Sequence, residues 1–421
     1  MMIIILKKKV KPIENLINYL FLYSISSIWI MIIINTTLTI AGIIYYKTFK
    51  RGDISLEKSP LVSILIPAHN EEKVISSTLE AILSLDYPNK EIIVINDNSS
   101  DNTASVLERH RAYIKVITTN SINGGKGKSN ALNIGLKQVS KDSKYIVIYD
   151  ADNTPQKDSL KYLIEELLSN NKYAGVTGKF KTRNRNKNLL TRFINIETLS
   201  RQFYYQAGKS FLFQKSSLPG TNYVIKKEAL LKVGGWNDSA LCEDTDLSFK
   251  LYQEGYKIGF TPLAITWEGE PETIEVLIKQ RSRWSKGNID ITFKYLIEIL
   301  KGNSKHIKFD TLYFVLNHLL FLISFLISDL IFVSLLFTDY QIDFKINLIV
   351  TWLIVYLVFV IQNSIVLFLE KNENIIHIFL VCISYFTYSQ LWLVVTIRGY
   401  FQYFSDKINQ NEVKWYKTER F

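Results

Sequence analysis

Two carboxylates one residue apart, Asp150 and Asp152, stand directly after the apolar run 145–149. A buried strand that delivers such a pair into a loop offers oxygen ligands to a hard cation, Mg²⁺ or Mn²⁺. These ions usually complete their coordination shell with water and substrate phosphates. Asp-x-Asp pairs are also common in solvated loops, so the pair alone does not establish a metal site. Polar residues elsewhere in the chain must decide between the two interpretations.

Other polar groups follow apolar runs of the same kind. Pro67 and Glu71 stand after the run 62–66, and Asp97 stands after the run 91–95. Asp97 suits either a hydrogen bond to a ligand or a turn that caps the next helix. Lys126 lies in a glycine-rich loop, where its charge suits a diphosphate unless the side chain is simply solvated.

Further along the chain, acidic and aromatic residues are placed on predicted helices. Glu243-Asp244 opens one helix, where Asp244 suits a general base or a helix cap, and Asp246 lies close enough to take its place. A later helix carries a cation and an aromatic ring in the sequence Gln280-x-x-Arg283-Trp284. This helix also suits an amphipathic position on a membrane surface.

The elements that must position these residues are short strands alternating with helices. Between residues 59 and 150, apolar strand-like runs and helical patterns alternate four times, with strands predicted at 62–66, 91–95, 114–117 and 145–149. This alternation predicts an open α/β sheet, which binds ligands at the carboxyl ends of its strands. All three polar clusters stand at such ends, so we expect them to meet at one edge.

Long apolar segments flank this region. The stretch Asn15–Tyr46 has no charged residue, and Leu312–Phe337, Ile346–Leu369 and Ile375–Ile397 each have the length that spans a bilayer. The chain of 421 residues, 48% hydrophobic and 21% charged, therefore combines aqueous and membrane parts. We predict a membrane segment at 1–50, an aqueous domain at 51–300, transmembrane helices at 301–400 and a tail at 401–421.

Charge indicates how the chain is oriented. Lys47, Lys50 and Arg51 favour a cytoplasmic exit of the first span, whereas Lys7–Lys9 before the span favour the opposite orientation. The net charge of +11 suits anionic lipid and phosphate-bearing substrates better than nucleic acid, because no nucleic-acid recognition motif accompanies it. Three later spans would place the C-terminus outside, whereas basic residues near the C-terminus favour the cytoplasm: Arg398, Lys407, Lys414, Lys417 and Arg420. The sequence leaves both topologies open.

The ordered set of motifs resembles the processive, membrane-embedded family 2 glycosyltransferases. The motifs are Pro67–Glu72, Asp97, Lys126, Asp150/Asp152, Glu243-Asp244 and Gln280-x-x-Arg283-Trp284. This family contains the synthases of poly-N-acetylglucosamine, cellulose, chitin and hyaluronan, and the resemblance runs from about residue 15 to the C-terminus. The chain looks most similar to bacterial poly-β-1,6-N-acetylglucosamine synthases, which share Ile95-Asn96-Asp97. It departs from them at Pro219-Gly220-Thr221-Asn222, where those synthases usually have a Ser-Gly-Val type sequence. This segment looks more like that of some cellulose-synthase-like proteins.

The resemblance implies a GT-A type nucleotide-diphospho-sugar transferase domain flanked by transmembrane helices. It implies a catalytic base at Asp244 and a Mg²⁺ or Mn²⁺ ion at Asp150 and Asp152. It also implies two sets of binding residues. The nucleotide sugar would be bound by Pro67, Glu71, Asp97, Lys126 and Asp150, and the acceptor and diphosphate by Glu243, Gln280, Arg283 and Trp284.

The implied reaction is inverting, processive transfer from a UDP-sugar, with N-acetylglucosamine favoured, to a growing β-linked polysaccharide that is exported through the membrane region. The implied location is the cell membrane, with the catalytic domain in the cytoplasm and with lipid and a small accessory membrane subunit as further partners. Alternatives are a cellulose-like β-glucan synthase and a transferase that glycosylates a lipid once. A transporter or scaffold with a degenerate transferase domain is the alternative outside the enzymes.

Overall fold

A computed structural model describes residues 2–51, 59–302, 306–337, 348–370 and 375–409. Its central element is a mixed eight-stranded sheet, and the strands predicted from the sequence are all present. The strands are β1 Val62–Ala68, β2 Lys90–Asn96, β3 Lys115–Thr118, β4 Tyr145–Ile148, β5 Thr154–Pro155, β6 Tyr173–Thr182, β7 Tyr223–Lys226 and β8 Lys257–Glu268.

The order of strands across the sheet is β3-β2-β1-β4-β7-β6-β8-β5. The half formed by β3, β2, β1 and β4 is parallel, whereas β7 pairs antiparallel with both β4 and β6. Since β1, β2 and β4 run in the same direction side by side, their carboxyl ends lie at one edge of the sheet. The polar clusters that follow these strands are therefore brought together, as the alternating pattern predicts.

Helices cover the sheet, and the sheet together with these helices is here called the sheet domain. They are α2 Ile75–Leu83, α3 Thr103–Glu108, α4 Lys128–Leu136, α5 Ser159–Ser169, α6 Leu189–Arg201, a π-helix Gln202–Gly208, α7 Lys209–Phe213, α8 Lys227–Lys232, α9 Glu243–Gln253 and α10 Ile274–Leu300. Side chains alternate between the two sheet faces. Leu65 of β1 packs in a core with Leu132 of α4, while its neighbour Ile64 packs in a second core with Leu79 of α2.

The helices outside the sheet domain are mostly apolar. They are α1 Met2–Thr48, α11 Lys308–Phe314, a π-helix Val315–Phe321, α12 Leu322–Phe337, α13 Leu348–Leu369, α14 Ile375–Phe386, a 3₁₀ turn Tyr388–Gln390 and α15 Leu391–Asn409. Among the described residues, four helical stretches are long and apolar enough to cross a membrane: Asn15–Thr48, Lys308–Ile331, Val350–Leu369 and Ile376–Asn409. The predicted start at Ile346 and the basic residues Lys414, Lys417 and Arg420 lie outside the described residues.

The last of these stretches is interrupted by the 3₁₀ turn Tyr388–Gln390, and residues before it and at its far end contact the sheet domain. Just before this stretch, Glu370, the residue after α13, forms a buried ion pair with Lys179 of β6. At its far end, Lys407 lies 3.5 Å from Asp290 of α10, and Tyr403 stacks on Phe293 of the same helix. Since α10 itself packs on α9, the contacts on either side of residues 375–409 are both made with the sheet domain.

This geometry leads to a prediction about topology. A reporter fused after Phe421 should face the same compartment as the sheet domain. We expect this because the contacts on either side of residues 375–409 are both made with that domain. The measurement is protease protection or fluorescence quenching of the reporter in sealed vesicles, with a second reporter inserted at Asp142 as the reference for the sheet domain. Opposite accessibility of the two reporters would contradict the prediction.

Candidate active site

One cavity of about 790 Å³ opens at the carboxyl edge of the sheet and continues to the apolar helices. Ten of the residues predicted from the sequence line it: Pro67, Glu71, Asp97, Asp150, Asp152, Glu243, Asp244, Gln280, Arg283 and Trp284. They come from strand ends, from the start of α9 and from the middle of α10. The apolar helices contribute polar and aromatic side chains to the same cavity, such as Gln362 and Tyr385.

Asp97 is buried at the end of β2 and held by the glycine-rich loop. Its Oδ1 accepts hydrogen bonds from the hydroxyl of Thr119 (2.9 Å) and the backbone N–H of Gly125 (2.8 Å). A Cβ at Gly124 would lie 1.8 Å from Thr119 Oγ1, so only glycine lets the loop pass this close. The loop therefore fixes a carboxylate that still lines the cavity.

Lys128, the first residue of α4, lies at the centre of the carboxylates. Its Nζ forms an ion pair with Asp150 and lies 3.8 Å from Glu243 Oε1, and it donates a hydrogen bond to the Gly220 carbonyl at 2.8 Å. Burial by itself lowers the pKa of this amine, but Asp150 and Glu243 outweigh burial and raise it. Lys128 thus stays charged and balances the carboxylates around it.

The structure brings Lys128, and not the predicted Lys126, to these carboxylates. Lys126 is exposed and is not among the residues that line the cavity. The two lysines are separated by Gly127, whose φ of +108° turns the chain into the start of α4. This backbone turn aims the second lysine inward, whereas the sequence analysis named only the first.

Asp150 and Asp152 follow β4 and both line the cavity. Among the described residues, no group of three or more histidine, cysteine, aspartate or glutamate side chains is suitable for holding a metal ion. Two carboxylates still suit Mg²⁺ or Mn²⁺, because these ions readily take their remaining ligands from water and substrate phosphate. The buried Asp152 and the half-buried Asp150 offer that pair of oxygens on the cavity wall.

Glu243 and Asp244 form the first turn of α9, where negative charge is favoured by the helix dipole. Burial raises the pKa of the Asp244 carboxyl, although the Thr245 N–H and the charges of Lys128 and Arg283 oppose this effect. Burial also raises the pKa of Glu243. A carboxylate with a raised pKa beside a cavity suits proton abstraction at neutral pH.

Asp246, the other aspartate in this turn, is in a different environment. It is buried, its Oδ1 accepts a hydrogen bond from the Tyr295 hydroxyl at 3.0 Å, and it forms an ion pair with Lys294. It does not line the cavity. Asp246 therefore ties α9 to α10, and Asp244 is the aspartate that reaches the cavity.

The segment Pro219-Gly220-Thr221-Asn222 lies between the two groups of carboxylates. The Thr221 hydroxyl accepts a hydrogen bond from the backbone N–H of Asp150 at 3.0 Å. Gly220 has a φ of +93°, and a Cβ there would lie 3.4 Å from Asp244 Oδ2. The part of the chain that departs from the resembling synthases therefore forms part of the wall beside Asp244.

Gln280, Arg283 and Trp284 lie in the middle of α10 and face the cavity. The Arg283 Nη1 donates a hydrogen bond to the Leu241 carbonyl at 3.3 Å, which holds the guanidinium near the start of α9. Trp284 is half-buried, and its carbonyl accepts a weak hydrogen bond from the Cys242 thiol at 3.6 Å. Burial raises the pKa of that thiol, so Cys242 is a packed neutral group.

Comparison with known proteins agrees with this geometry. Residues 59–287 match the family described as glycosyltransferase like family 2. The chain is 42% identical over 414 residues to the probable glycosyltransferase YdaM of Bacillus subtilis (strain 168), covering 96% of this chain and 98% of that protein. It is 34% identical over 258 residues to the poly-β-1,6-N-acetyl-D-glucosamine synthase of Staphylococcus aureus (strain COL), covering 61% of this chain and 62% of the synthase.

A solved structure shares the fold. The mannosyltransferase PcManGT from Pyrobaculum calidifontis, determined in complex with GDP-Man and Mn²⁺, superposes with a TM-score of 0.64 over 92% of this chain and 99% of that chain, at 16% identity. This similarity supports a GT-A-like α/β domain with flanking apolar helices. With the match to the family over more than half of the chain and the alignment to YdaM over nearly the full length, the chain belongs to glycosyltransferase family 2.

Proposed function

We propose that this protein transfers N-acetylglucosamine from UDP-N-acetylglucosamine to the end of a β-linked polysaccharide, with inversion, processively and at the cytoplasmic face of the cell membrane. The observation that carries the proposal is that one cavity joins Asp97, the carboxylates and Trp284 to the apolar helices. Such a cavity has room for a nucleotide sugar at the sheet edge and for a sugar chain toward the membrane.

The nucleotide end of the donor binds at the sheet edge in this proposal. Asp97, beside Pro67 and Glu71, accepts a hydrogen bond from the base, because its carboxylate is fixed at the cavity wall. Lys128 and Arg283 balance the charge of the diphosphate through charge-assisted hydrogen bonds. Asp150 and Asp152 would hold Mg²⁺ or Mn²⁺, which when bound supplies Lewis-acid stabilisation of the departing diphosphate.

The acceptor binds beside Trp284, whose ring offers an apolar platform to a sugar face, with Gln280 and Glu243 as neighbours. Asp244 removes the proton from the acceptor hydroxyl as that oxygen attacks the anomeric carbon. The new carbon–oxygen bond forms on the face opposite the breaking bond to the diphosphate, so the configuration inverts. The products are UDP and a chain that is one sugar longer, and the cavity's membrane end is the proposed start of export.

The test is a comparison of donors with purified protein in lipid nanodiscs. UDP-N-acetylglucosamine, UDP-glucose and GDP-mannose are supplied separately in radiolabelled form, and nucleotide release, incorporation and product length are measured. We expect a polymer from UDP-N-acetylglucosamine that a β-1,6-specific hydrolase degrades. A glucose polymer would support a glucan synthase, a single labelled sugar on lipid would support one-step glycosylation, and no release from any donor would support a non-catalytic role.

Lys128 and Lys126 provide a matched pair of variants. Lys128→Met should lower turnover at least about 10-fold, because the loss of one charge-assisted contact to a phosphate or carboxylate costs about 1.5–3 kcal/mol. Lys126→Met should remain within about 2-fold of the wild type, since its side chain is exposed outside the cavity. Steady-state UDP release measures both, and the reverse ranking of the two variants would return the role to Lys126.

A further inference from the structure

A buried cation beside Trp284 is not used by the proposed reaction. Arg281 lies on the same helix face one turn before Trp284, and only 3% of it is exposed. Its guanidinium carbon lies 4.0 Å from the centroid of the Trp284 ring, within the range of a cation–π contact. One side of the indole is therefore covered, and the half-buried remainder of the residue lines the cavity.

Two carboxylates from distant parts of the chain surround this guanidinium. Its Nη2 lies 3.6 Å from an oxygen of Glu270, which follows β8, and 3.8 Å from an oxygen of Glu197 on α6. The Tyr388 hydroxyl in the 3₁₀ turn donates a hydrogen bond to Glu197, and the Tyr388 ring stacks on Phe193 with centroids 5.6 Å apart. Glu197, Glu270, Arg281 and Tyr388 are here called the Arg281 cluster.

The Arg281 cluster is a costly arrangement if its purpose is only to hold the fold together. A buried guanidinium loses its hydration, and carboxylates beyond direct hydrogen-bond distance restore only part of that loss. In addition, the Nε and Nη1 groups of Arg281 have no hydrogen-bond partner among the described residues. This cost is explained if Arg281 serves to hold the ring of Trp284 in one orientation.

We propose that Arg281 is a positioning residue that fixes the indole of Trp284 for the acceptor sugar. The inference rests on the proposed function, in which Trp284 is the acceptor platform. Stacking of the guanidinium limits rotation of the ring, and the two carboxylates limit movement of the guanidinium. Because Glu197 is in turn held by Tyr388 of the 3₁₀ turn, the last apolar helix pair and the sheet domain together set the position of the acceptor relative to Asp244.

The test uses Arg281→Lys and Arg281→Gln. Lysine keeps the positive charge but lacks the planar group that stacks, so it should not restore the platform. For both variants we expect the acceptor KM to rise by about 5- to 30-fold, the range of a desolvated cation–π contact. UDP binding and slow hydrolysis of the donor should stay within about 2-fold of the wild type, because neither needs the platform. The ratio of hydrolysis to transfer should therefore rise and the products should become shorter.

A second arginine–tryptophan stack provides the control. Arg185 lies 5.4 Å from the ring centroid of Trp267, and neither residue lines the cavity. Arg185→Lys should leave acceptor KM, UDP binding and product length unchanged. If Arg281→Lys does not fold, Tyr388→Phe removes one support of the cluster while keeping the ring, and it should raise the acceptor KM in the same direction by about 2- to 5-fold, the value of one hydrogen bond.

The failure of this inference is distinguishable from failure of the proposed reaction. Calorimetric titration with an N-acetylglucosamine pentamer in the presence of UDP measures acceptor binding without turnover. A wild type that binds the pentamer but transfers no sugar would reject the proposed reaction and still allow the variants to be ranked by affinity. The inference is overturned if the wild type does not bind the pentamer, or if Arg281→Lys binds it as tightly as Arg185→Lys does. It is also overturned if UDP binding and donor hydrolysis fall together with transfer in the Arg281 variants.

Discussion

Replacing Asp244 with asparagine should lower turnover by about 10²- to 10⁴-fold, the usual contribution of a general base, while UDP binding stays nearly unchanged. Asparagine keeps the size and most of the hydrogen bonding of the side chain, but it cannot take the acceptor proton. Asp244 is the aspartate of this turn that lines the cavity, beside Gly220 and close to the charges of Lys128 and Arg283. Single-turnover transfer and calorimetric UDP titration measure the two effects separately.

Asp246→Asn is the matched control. This carboxylate is buried against Lys294 and Tyr295, so the variant should lower the stability of the fold while the transfer rate of the folded fraction remains close to that of the wild type. Thermal unfolding followed by fluorescence measures the first effect. Near-normal polymer synthesis by Asp244→Asn, together with loss of synthesis in Asp246→Asn, would move the role of base to Asp246.

The pH dependence of transfer follows from the same site. Since burial raises the pKa of Asp244, the acidic limb of the rate profile should lie at higher pH than the ordinary aspartate value of 3.8. The base acts in its deprotonated form, so the rate should be full above the raised pKa and should fall as the pH drops through it. A profile of single-turnover rate against pH checks the sign, and an acidic limb at or below the ordinary value would contradict it.

The second large effect is expected from the metal. Removal of divalent cations should abolish transfer, and Mn²⁺ or Mg²⁺ should restore it, because the leaving diphosphate carries charge that protein cations alone neutralise incompletely. UDP affinity should also fall without the ion, which calorimetry detects without turnover. Asp152→Asn should weaken the response to Mn²⁺, since it removes one of the two paired carboxylates.

Asp142→Asn, on an exposed loop outside the cavity, serves as the control for the metal experiment and should behave like the wild type. Full transfer by enzyme that has been stripped of metal, verified by elemental analysis, would rule out the metal role. In that case Lys128 and Arg283 would have to carry the neutralisation of the diphosphate by themselves.

Much of the site followed from local patterns in the sequence. Strands such as β1, β2 and β4 are recognisable because they are short apolar runs, and their alternation with helices implies that they run parallel. Residues that directly follow such strands, Asp97 and Asp150 among them, must then lie at the same edge. Similarly, the position of Glu243 and Asp244 before an apolar helical pattern predicts that they begin a helix. These conclusions depend on neighbours in the chain, which the sequence states directly.

The tertiary structure gives different surroundings to side chains that are equivalent in their local sequence. Lys126 and Lys128 flank one glycine, and Asp244 and Asp246 share one helical turn, so composition and spacing do not separate them. The positive φ of Gly127 directs Lys128 and not Lys126 toward the cavity. The packing of α10 covers Asp246 with Lys294 and Tyr295 and leaves Asp244 at the cavity.

Sequence by itself thus determined the fold class, the sheet-edge carboxylates and the helix that carries Trp284, because each depends on a periodic or contiguous pattern. Tertiary structure alone decided the contacts of the last helix and the surroundings of Arg281. Hydropathy indicates only that residues 391–409 are apolar enough for a membrane, whereas the folded chain places Tyr403 and Lys407 against α10. Likewise, Glu197 and Glu270 come from separate elements, and only the folded chain brings their charges to one guanidinium.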